Sequence, residues 1–415
     1  MNKRRVVITG MGCVTAFGDS VDILFDNLCK GNSGVSNIEG FDTTDFDVHI
    51  GGECKNFDPC KYIDRRETKR LDRFSQMAIA CSAQAVEQSG LDLGNQEIAE
   101  RTGVVIGSGV GGLQELEMQH SRLEGKGPSK VSAFCVPKMM VNAAAGVVSI
   151  LHGAKGPNIS VVTACASAAH SIGEAFRMIQ NGDADAIIAG GSEAAVTPIG
   201  LASFCSLKAL STRNDDPTHA SRPFDKDRDG FVLSEGAGIL VLEEYELAKR
   251  RGANIIAEVA GYGATGDAYH ITAPLPDGAG AARGMRIALH DAGVNPDEVD
   301  YINAHGTSTP LNDMAETLAI KSVFGCKANR PAISSTKSCT GHFLGASGAV
   351  ELIVGAKTIQ ESIVPLTANT TEICEHCGPE LNHVLGESRE QQVNVVLSNS
   401  LGFGGHNASL VLKKV

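Results

Sequence analysis

Three segments of the chain place reactive side-chain types in loops of small residues. In the first, Val161-Val162-Thr163-Ala164-Cys165-Ala166-Ser167-Ala168-Ala169-His170, a β-branched run meets a Cys and then Ala-rich, helix-forming sequence. A thiol at such a turn would stand at a helix start, where the macrodipole favours thiolate by about 0.3–1 kcal/mol, up to about 2 when partly buried. At about 1.36 kcal/mol per unit, the expected pKa lies roughly one unit below that of a free thiol. The small neighbours admit a substrate carbonyl, and the Cys N–H is placed to stabilise an oxyanion. The second segment, Val299-Asp300-Tyr301-Ile302-Asn303-Ala304-His305, feeds an imidazole into Gly306-Thr307-Ser308-Thr309-Pro310, whose hydroxyls suit an extended polar ligand arm. The third, Ser334-Ser335-Thr336-Lys337-Ser338-Cys339-Thr340-Gly341-His342, presents another imidazole ahead of a helical run. Each has a plainer alternative when taken singly: a buried structural thiol among twelve cysteines, or a surface histidine. A Cys at a helix start together with two His in Gly-flanked loops after strands favours a shared site.

The elements that must position these groups are legible as an alternation. Short β-branched runs predict strands near 6–10, 104–107, 159–162, 186–191, 254–259, 299–303 and 393–398. Between them, helical periodicity predicts helices over 73–89, 166–180, 279–292, 313–324 and 345–360. This is the pattern of an α/β protein with buried sheets. The charged stretch Lys249-Arg250-Arg251-Gly252-Ala253 precedes a fresh strand and divides the chain into 1–253 and 254–415. Val6 to Gly12 and Val395 to Gly402 are both strands entering Gly loops, a faint internal echo.

Composition bounds the function. With 415 residues, 42% hydrophobic and 20% charged, the chain can bury a deep core and lies outside the disordered regime. A formal charge of −12 argues against bulk binding to nucleic acid or an anionic membrane. The 47 glycines imply many tight turns and close backbone approaches. The scattered cysteines fit reduced, buried thiols better than a disulfide framework. No apolar run reaches the ~18 residues of a membrane helix. Residues 1–5 lead directly into a strand, without a visible signal or transit peptide, so a cytoplasmic protein is expected.

Thr163-Ala164-Cys165-Ala166-Ser167, Asn303-Ala304-His305-Gly306-Thr307-Ser308-Thr309 and Ser335-Thr336-Lys337-Ser338-Cys339-Thr340-Gly341-His342 resemble, in order and spacing, the three active-site motifs of the elongating β-ketoacyl-acyl carrier protein synthases. Asn399-Ser400-Leu401-Gly402-Phe403-Gly404-Gly405-His406-Asn407 resembles their glycine-rich gating loop, and the likeness runs from about residue 4 to 413. It is closest to the synthase II type. The resemblance implies a thiolase-like fold of five layers, α-β-α-β-α, built from two similar halves, the first carrying the Cys and the second the two His and the gating loop. It also implies a homodimer and the decarboxylative Claisen condensation of malonyl-carrier protein with a Cys-bound acyl chain. Cys165 would carry the chain, and His305 and His342 would stabilise the enolate. The N–H groups of Cys165 and Phe403 would form the oxyanion hole, with Phe403 also a gate. Lys337 and Glu351 would be a supporting ion pair, with Asp313 and Glu316 nearby. Thr307 and Thr309 would bind the pantetheine arm, Val110 and Phe204 would line the acyl pocket, and Gly402 and Gly404 of the gating loop would bind substrate. No cofactor is implied, because the substrates ride on the phosphopantetheine arm of acyl carrier protein. Leu401 and Cys339 depart from residues common in the family, Phe and Met, which bears on pocket shape.

Lys61, Arg65, Arg66, Lys69 and Arg70 form a basic run; on a helix Arg66, Lys69 and Arg70 would share a face. Such runs are usually solvated surface. The resemblance makes this one the landing area for an acidic carrier protein, with Lys208 a further candidate. Cys374-Glu375-His376-Cys377 evokes zinc, but a structural site needs four ligands and no second pair has suitable spacing, so no metal is expected. A non-decarboxylating thiolase typically uses a second Cys near the C-terminus where this chain offers His342 and a Gly-Phe-Gly-Gly loop. Initiating synthases carry Asn in place of the second His, and catalytically silent chain-length partners lack the nucleophile. A ketosynthase of a type II polyketide or aryl-polyene pathway shares the mechanism, and the sequence does not separate it from fatty-acid elongation.

Overall fold

The computed structural model describes residues 3–325 and 331–415; Cys326, one of the twelve cysteines, lies outside them. Strand β1 (Val6–Val14) is buried at all nine positions, as a strand covered on both faces must be. Helix α1 (Arg73–Ser89), capped by Asp72 at its start and Gly90 at its end, lies directly on it. The contact depends on two glycines: a Cβ on Gly10 would sit 1.9 Å from the Ala85 carbonyl oxygen, and one on Gly12 would sit 2.1 Å from that of Cys81. Three further strands and a helix follow, β2 (Thr102–Gly107), β3 (Asn158–Ile159), α2 (Ser167–Asn181) and β4 (Ala186–Glu193), and β5 (Gly236–Glu244) completes the first unit.

The second unit repeats this order: β6 (Ala257–Gly266), α3 (Ala279–Ala292), β7 (Tyr301–Asn303), α4 (Pro310–Phe324), β8 (Ala332–Ser334), α5 (Ser347–Glu361), β9 (Val395–Gly402) and β10 (His406–Lys413). In the first, β2 pairs parallel with β3 and β4, then β4 with β5 and β5 with β1 antiparallel. In the second, β7 pairs parallel with β8 and β9, then β9 with β10 and β10 with β6 antiparallel. The units meet where β1 runs antiparallel to β6, Val6 opposite Val259, giving the order β8-β7-β9-β10-β6-β1-β5-β4-β2-β3.

Helices α2 and α5 pack on each other in the central layer, α1 covers one outer face and α3 with α4 the other. Three apolar clusters fill the gaps between these layers. This is the expected five-layered α-β-α-β-α thiolase-like arrangement of two similar halves. The internal echo, however, does not join corresponding strands. By topology β1 corresponds to β6, and β9 corresponds to β4. The true echo is the Gly-x-Gly of β1, Gly10 and Gly12, with that of β6, Gly261 and Gly263. A Cβ on either of the latter would lie 2.2 or 2.1 Å from a carbonyl oxygen of α3.

Two local expectations are corrected. Residues 160–162 are not strand: β3 ends at Ile159 because it pairs only with Val104 and Val105 at the sheet edge, and Val162 is 51% exposed. The basic run forms no helix. It holds two short 3-10 turns, Pro59–Lys61 and Thr68–Arg70. Between them Asp64 accepts from the Arg66 N–H and Thr68 Oγ1 donates to the Arg65 carbonyl, local bonds that compete with a helical ladder. Among the described residues no helix is long and apolar enough to cross a membrane.

Candidate active site

The link from β3 to α2 carries Cys165. Its neighbour Ala164 is held at φ 50°, a left-handed conformation unusual for a residue with a side chain. The Ser167 hydroxyl fixes the bend, accepting from the Thr163 N–H at 2.9 Å and donating to the Ala164 carbonyl at 2.7 Å. The bend aims Cys165 into a cavity of about 510 Å³. The matching links of the second half deliver the imidazoles. His305 follows β7, and Glu316 of α4 anchors its loop by accepting the His305 and Gly306 N–H groups, both at 2.8 Å. His342 follows the short helix Lys337–Thr340 and precedes α5, with its Nδ1 2.9 Å from the Ser347 hydroxyl.

Cys165, His305 and His342 all line this cavity, the two rings edge-to-face with centroids 5.3 Å apart. Lys337 is 1% exposed and stands behind them, its Nζ 3.3 Å from His305 Nδ1 and ion-paired to the buried Glu351. A lysine ammonium has only donors, so Nδ1 of His305 accepts and its Nε2 carries the hydrogen. Burial, reinforced by Lys337, holds both imidazoles well below their usual pKa, so they are neutral. Burial also pushes the Cys165 thiol up to about 12, against the opposing pull of Lys337 and of the Phe403 N–H and its own N–H. The expectation of a helix-lowered thiol pKa is therefore overturned. Helix α2 starts at Ser167, past the sulfur, and removing the sulfur from water outweighs the nearby positive groups.

Thr307 and Thr309 line the cavity with their hydroxyls 2.9 Å apart. Val110, Phe204, Lys208, Gly402 and Phe403 are also on its wall. So is Leu401, whereas Cys339 is fully buried away from it. Gly404, expected to bind substrate, is not on the wall; at φ 84° it donates its N–H to the Ile271 carbonyl at 2.7 Å. Lys337 and Glu351 lie outside the wall too. Arg65, Arg66, Lys69, Arg70 and Lys208 are exposed.

One residue escaped sequence reasoning. Glu193, at the end of β4 and 0% exposed, accepts from Ser108 Oγ at 2.7 Å and from the N–H groups of Gly109 at 2.6 Å, Val110 at 3.2 Å and Gly345 at 3.0 Å. It thus ties the loop beside Cys165 to the one after His342. The signal was a carboxylate closing a run of apolar and small residues, Ala186 to Ser192, where a charge must find several donors. Phe231, whose ring meets both His342 and Phe204 edge-on at 5.3 Å, is on the cavity wall with them.

The description "Beta-ketoacyl synthase, N-terminal domain" matches residues 3–248, and "Beta-ketoacyl synthase, C-terminal domain" matches 256–371. The 3-oxoacyl-[acyl-carrier-protein] synthase 2 of Synechocystis sp. is 51% identical over 414 residues, 100% of this chain and 99% of that one. A β-ketoacyl synthase structure from Burkholderia phymatum superposes with a TM-score of 0.92 at 37% identity, covering 99% and 100% of the two chains. A ketosynthase solved with its type II PKS acyl-carrier protein and bound to the hexaketide gives 0.91 at 34%, each chain fully covered. A buried thiol and two neutral imidazoles on one cavity, in a fold that these relatives share from end to end, make this chain a member of the β-ketoacyl synthase family.

Proposed function

We propose that the protein lengthens an acyl chain by two carbons in fatty-acid synthesis, through decarboxylative condensation with malonyl-acyl carrier protein. The observation that carries this reading is the convergence of Cys165, His305 and His342 on one cavity. Cys165 takes the acyl group as a thioester, and its proton leaves with the departing carrier thiol. Malonyl-carrier protein then loses CO₂. The Nε2–H of His305, with that of His342 when the Ser347 hydroxyl donates to its Nδ1, stabilises the enolate oxygen. The carbanion attacks the thioester, and the N–H groups of Cys165 and Phe403, already beside the sulfur, hold the oxyanion. Collapse releases the sulfur, which is reprotonated. Thr307 and Thr309 receive the pantetheine arm, Val110 and Phe204 bound the acyl chain, and Gly402 and Phe403 form the gate.

Incubating the protein with acyl-carrier proteins of graded length and weighing it tests this directly. An adduct should appear on Cys165, vanish on adding malonyl-carrier protein, and be absent from Cys165→Ala; an adduct that malonyl-carrier protein leaves in place sinks the reading. The division at 253/254 gives one half the acyl-holding role and the other the enolate-stabilising role.

The partner is acyl carrier protein, docking on Arg65, Arg66, Lys69, Arg70 and Lys208. Of these Arg65, Arg66 and Lys69 make no ion pair among the described residues, and Lys208 stands on the cavity wall. Reversing charge at Arg66 and Lys69 should raise KM for carrier-bound substrate several-fold and weaken its salt dependence; an unaltered KM would remove the patch from the interface. A second copy of the chain covers the edge of β3, where Ile150 (81% exposed), Leu151, Ile159 and Val162 leave an apolar face beside an unpaired strand. Sedimentation should give a dimer, and Ile150→Asp a monomer.

A further inference from the structure

Cys374-Glu375-His376-Cys377 is the only C-x-x-C spacing in the chain, and the condensation uses neither thiol. The pair brackets a single 3-10 turn, Glu375–Cys377, closed by the Cys377 N–H on the Cys374 carbonyl at 2.8 Å. Such a turn keeps its first and last Cα atoms within about 7 Å, and a disulfide spans about 4.4–6.8 Å. Both thiols are free. They are unequal: Cys377 is fully buried, whereas Cys374 is half-buried beside the exposed Glu375 and His376. Arg228, the His376 N–H and the Cys377 thiol each favour the charged form of the Cys374 sulfur. Burial, which alone would raise the Cys374 thiol, is outweighed by these donors and leaves it below the ordinary value; burial pushes Cys377 up to about 12. Among the described residues no group of three or more His, Cys, Asp or Glu is placed to hold a metal, so the pair lacks the ligand set of a structural zinc site.

An accessible, anion-prone sulfur placed one turn from a buried thiol has the chemistry of an attacking and a resolving thiol. From this arrangement we infer that Cys374 and Cys377 form a thiol–disulfide exchange site whose oxidising substrate is a small organic disulfide. The Cys374 thiolate attacks one sulfur of the disulfide and displaces the other as a thiolate, which takes the proton Cys374 gave up. The Cys377 thiol then loses its proton and attacks the Cys374 sulfur. That expels the second small thiolate, which takes this proton. The two cysteines lose two hydrogens and two electrons, and the disulfide becomes two thiols.

The site is joined to the cavity through Arg228. Its guanidinium also bonds the carbonyls of Asp225 at 2.8 Å, Thr309 at 3.2 Å and Pro310 at 2.9 Å, and faces Asp313 Oδ2 at 3.4 Å. Thr309 and Pro310 line the cavity, on the stretch assigned above to the carrier arm. Closing the disulfide removes the thiolate charge that Arg228 favours, so oxidation reaches that wall; this functional link rests on the proposed function, whereas the exchange chemistry does not.

The test uses the full-length protein treated with oxidised glutathione, quenched with N-ethylmaleimide, digested with trypsin and weighed. The tryptic segment 358–389 contains only these two cysteines. It should be unalkylated and lighter by two hydrogens, and dithiothreitol should reverse this. Cys377→Ser should instead trap a glutathione adduct on Cys374. Two maleimides on the wild-type segment, or glutathione left unresolved on it, would overturn the site. With Cys165 protected as the acyl-enzyme, oxidation should shift KM for malonyl-carrier protein several-fold, reversibly, and not in Cys374→Ser/Cys377→Ser; a disulfide that forms with KM unmoved would overturn the link through Arg228. Because the mass measurement needs no elongation activity, its failure is separable from failure of the condensing reading.

Discussion

The two halves of the molecule share strand order, pairing and glycine-mediated helix contacts, yet their corresponding links do different chemistry. Between β3 and α2 a short bend holds Cys165 with a strained Ala164 and a backbone that supplies N–H groups. Between β8 and α5 the longer link adds the helix Lys337–Thr340, which inserts a buried cation between Glu351 and His305 and then presents His342. The carboxylates follow suit. Glu193 of the first half collects three backbone N–H groups and a hydroxyl, whereas Glu351 of the second pairs with Lys337. One half thus keeps a neutral thiol in a dipolar cradle, and the other concentrates charge beside two imidazoles. Duplicated scaffolding fixes where the links meet; link length and one buried ion pair decide what each contributes.

That contrast can be broken at the ion pair first. Lys337→Met leaves Glu351 buried without its partner and should cost about 3–5 kcal/mol in urea unfolding. Lys337→Met/Glu351→Gln should recover most of it, and equal losses in the single and double variants would contradict the pairing. Next come the imidazoles: His305→Ala or His342→Ala should each slow decarboxylation about 10²–10³-fold while Cys165 still acylates. Because both rings titrate well below 6.5 and the proposed mechanism uses their neutral form, lowering pH through 6.5 should leave the decarboxylation rate flat, with loss only at more acidic values. An inflection at 6.5 would mean that the rings are solvated. The smallest effect tests the shared scaffold: Gly10→Ala and Gly261→Ala should each cost about 1–3 kcal/mol, by similar amounts, since both press a methyl onto a helix carbonyl.

Much of this was readable along the chain. Helix 73–89 was placed to the residue, because Asp72 and Gly90 cap an uninterrupted periodic run. The three loops bearing Cys165, His305 and His342 were readable because Gly and small polar residues punctuate strand ends. Periodicity failed where pairing partners decide the state. The β-branched Val161 and Val162 are loop because the sheet has no strand to offer them, and the charged run 61–70 is turn because local carboxylate and hydroxyl bonds replace the helical ladder.

Residue types and order by themselves determined the α/β class, the catalytic candidates and the family likeness, since these follow from local propensity and from chemistry carried by single side chains. Only the tertiary structure decided protonation and partnership: that the thiol is driven up to about 12, that the imidazoles stay neutral, that Glu193 spans two loops, and that the repeat joins β1 to β6. Burial and long-range contact set all four, and neither quantity is a property of a residue and its neighbours in sequence.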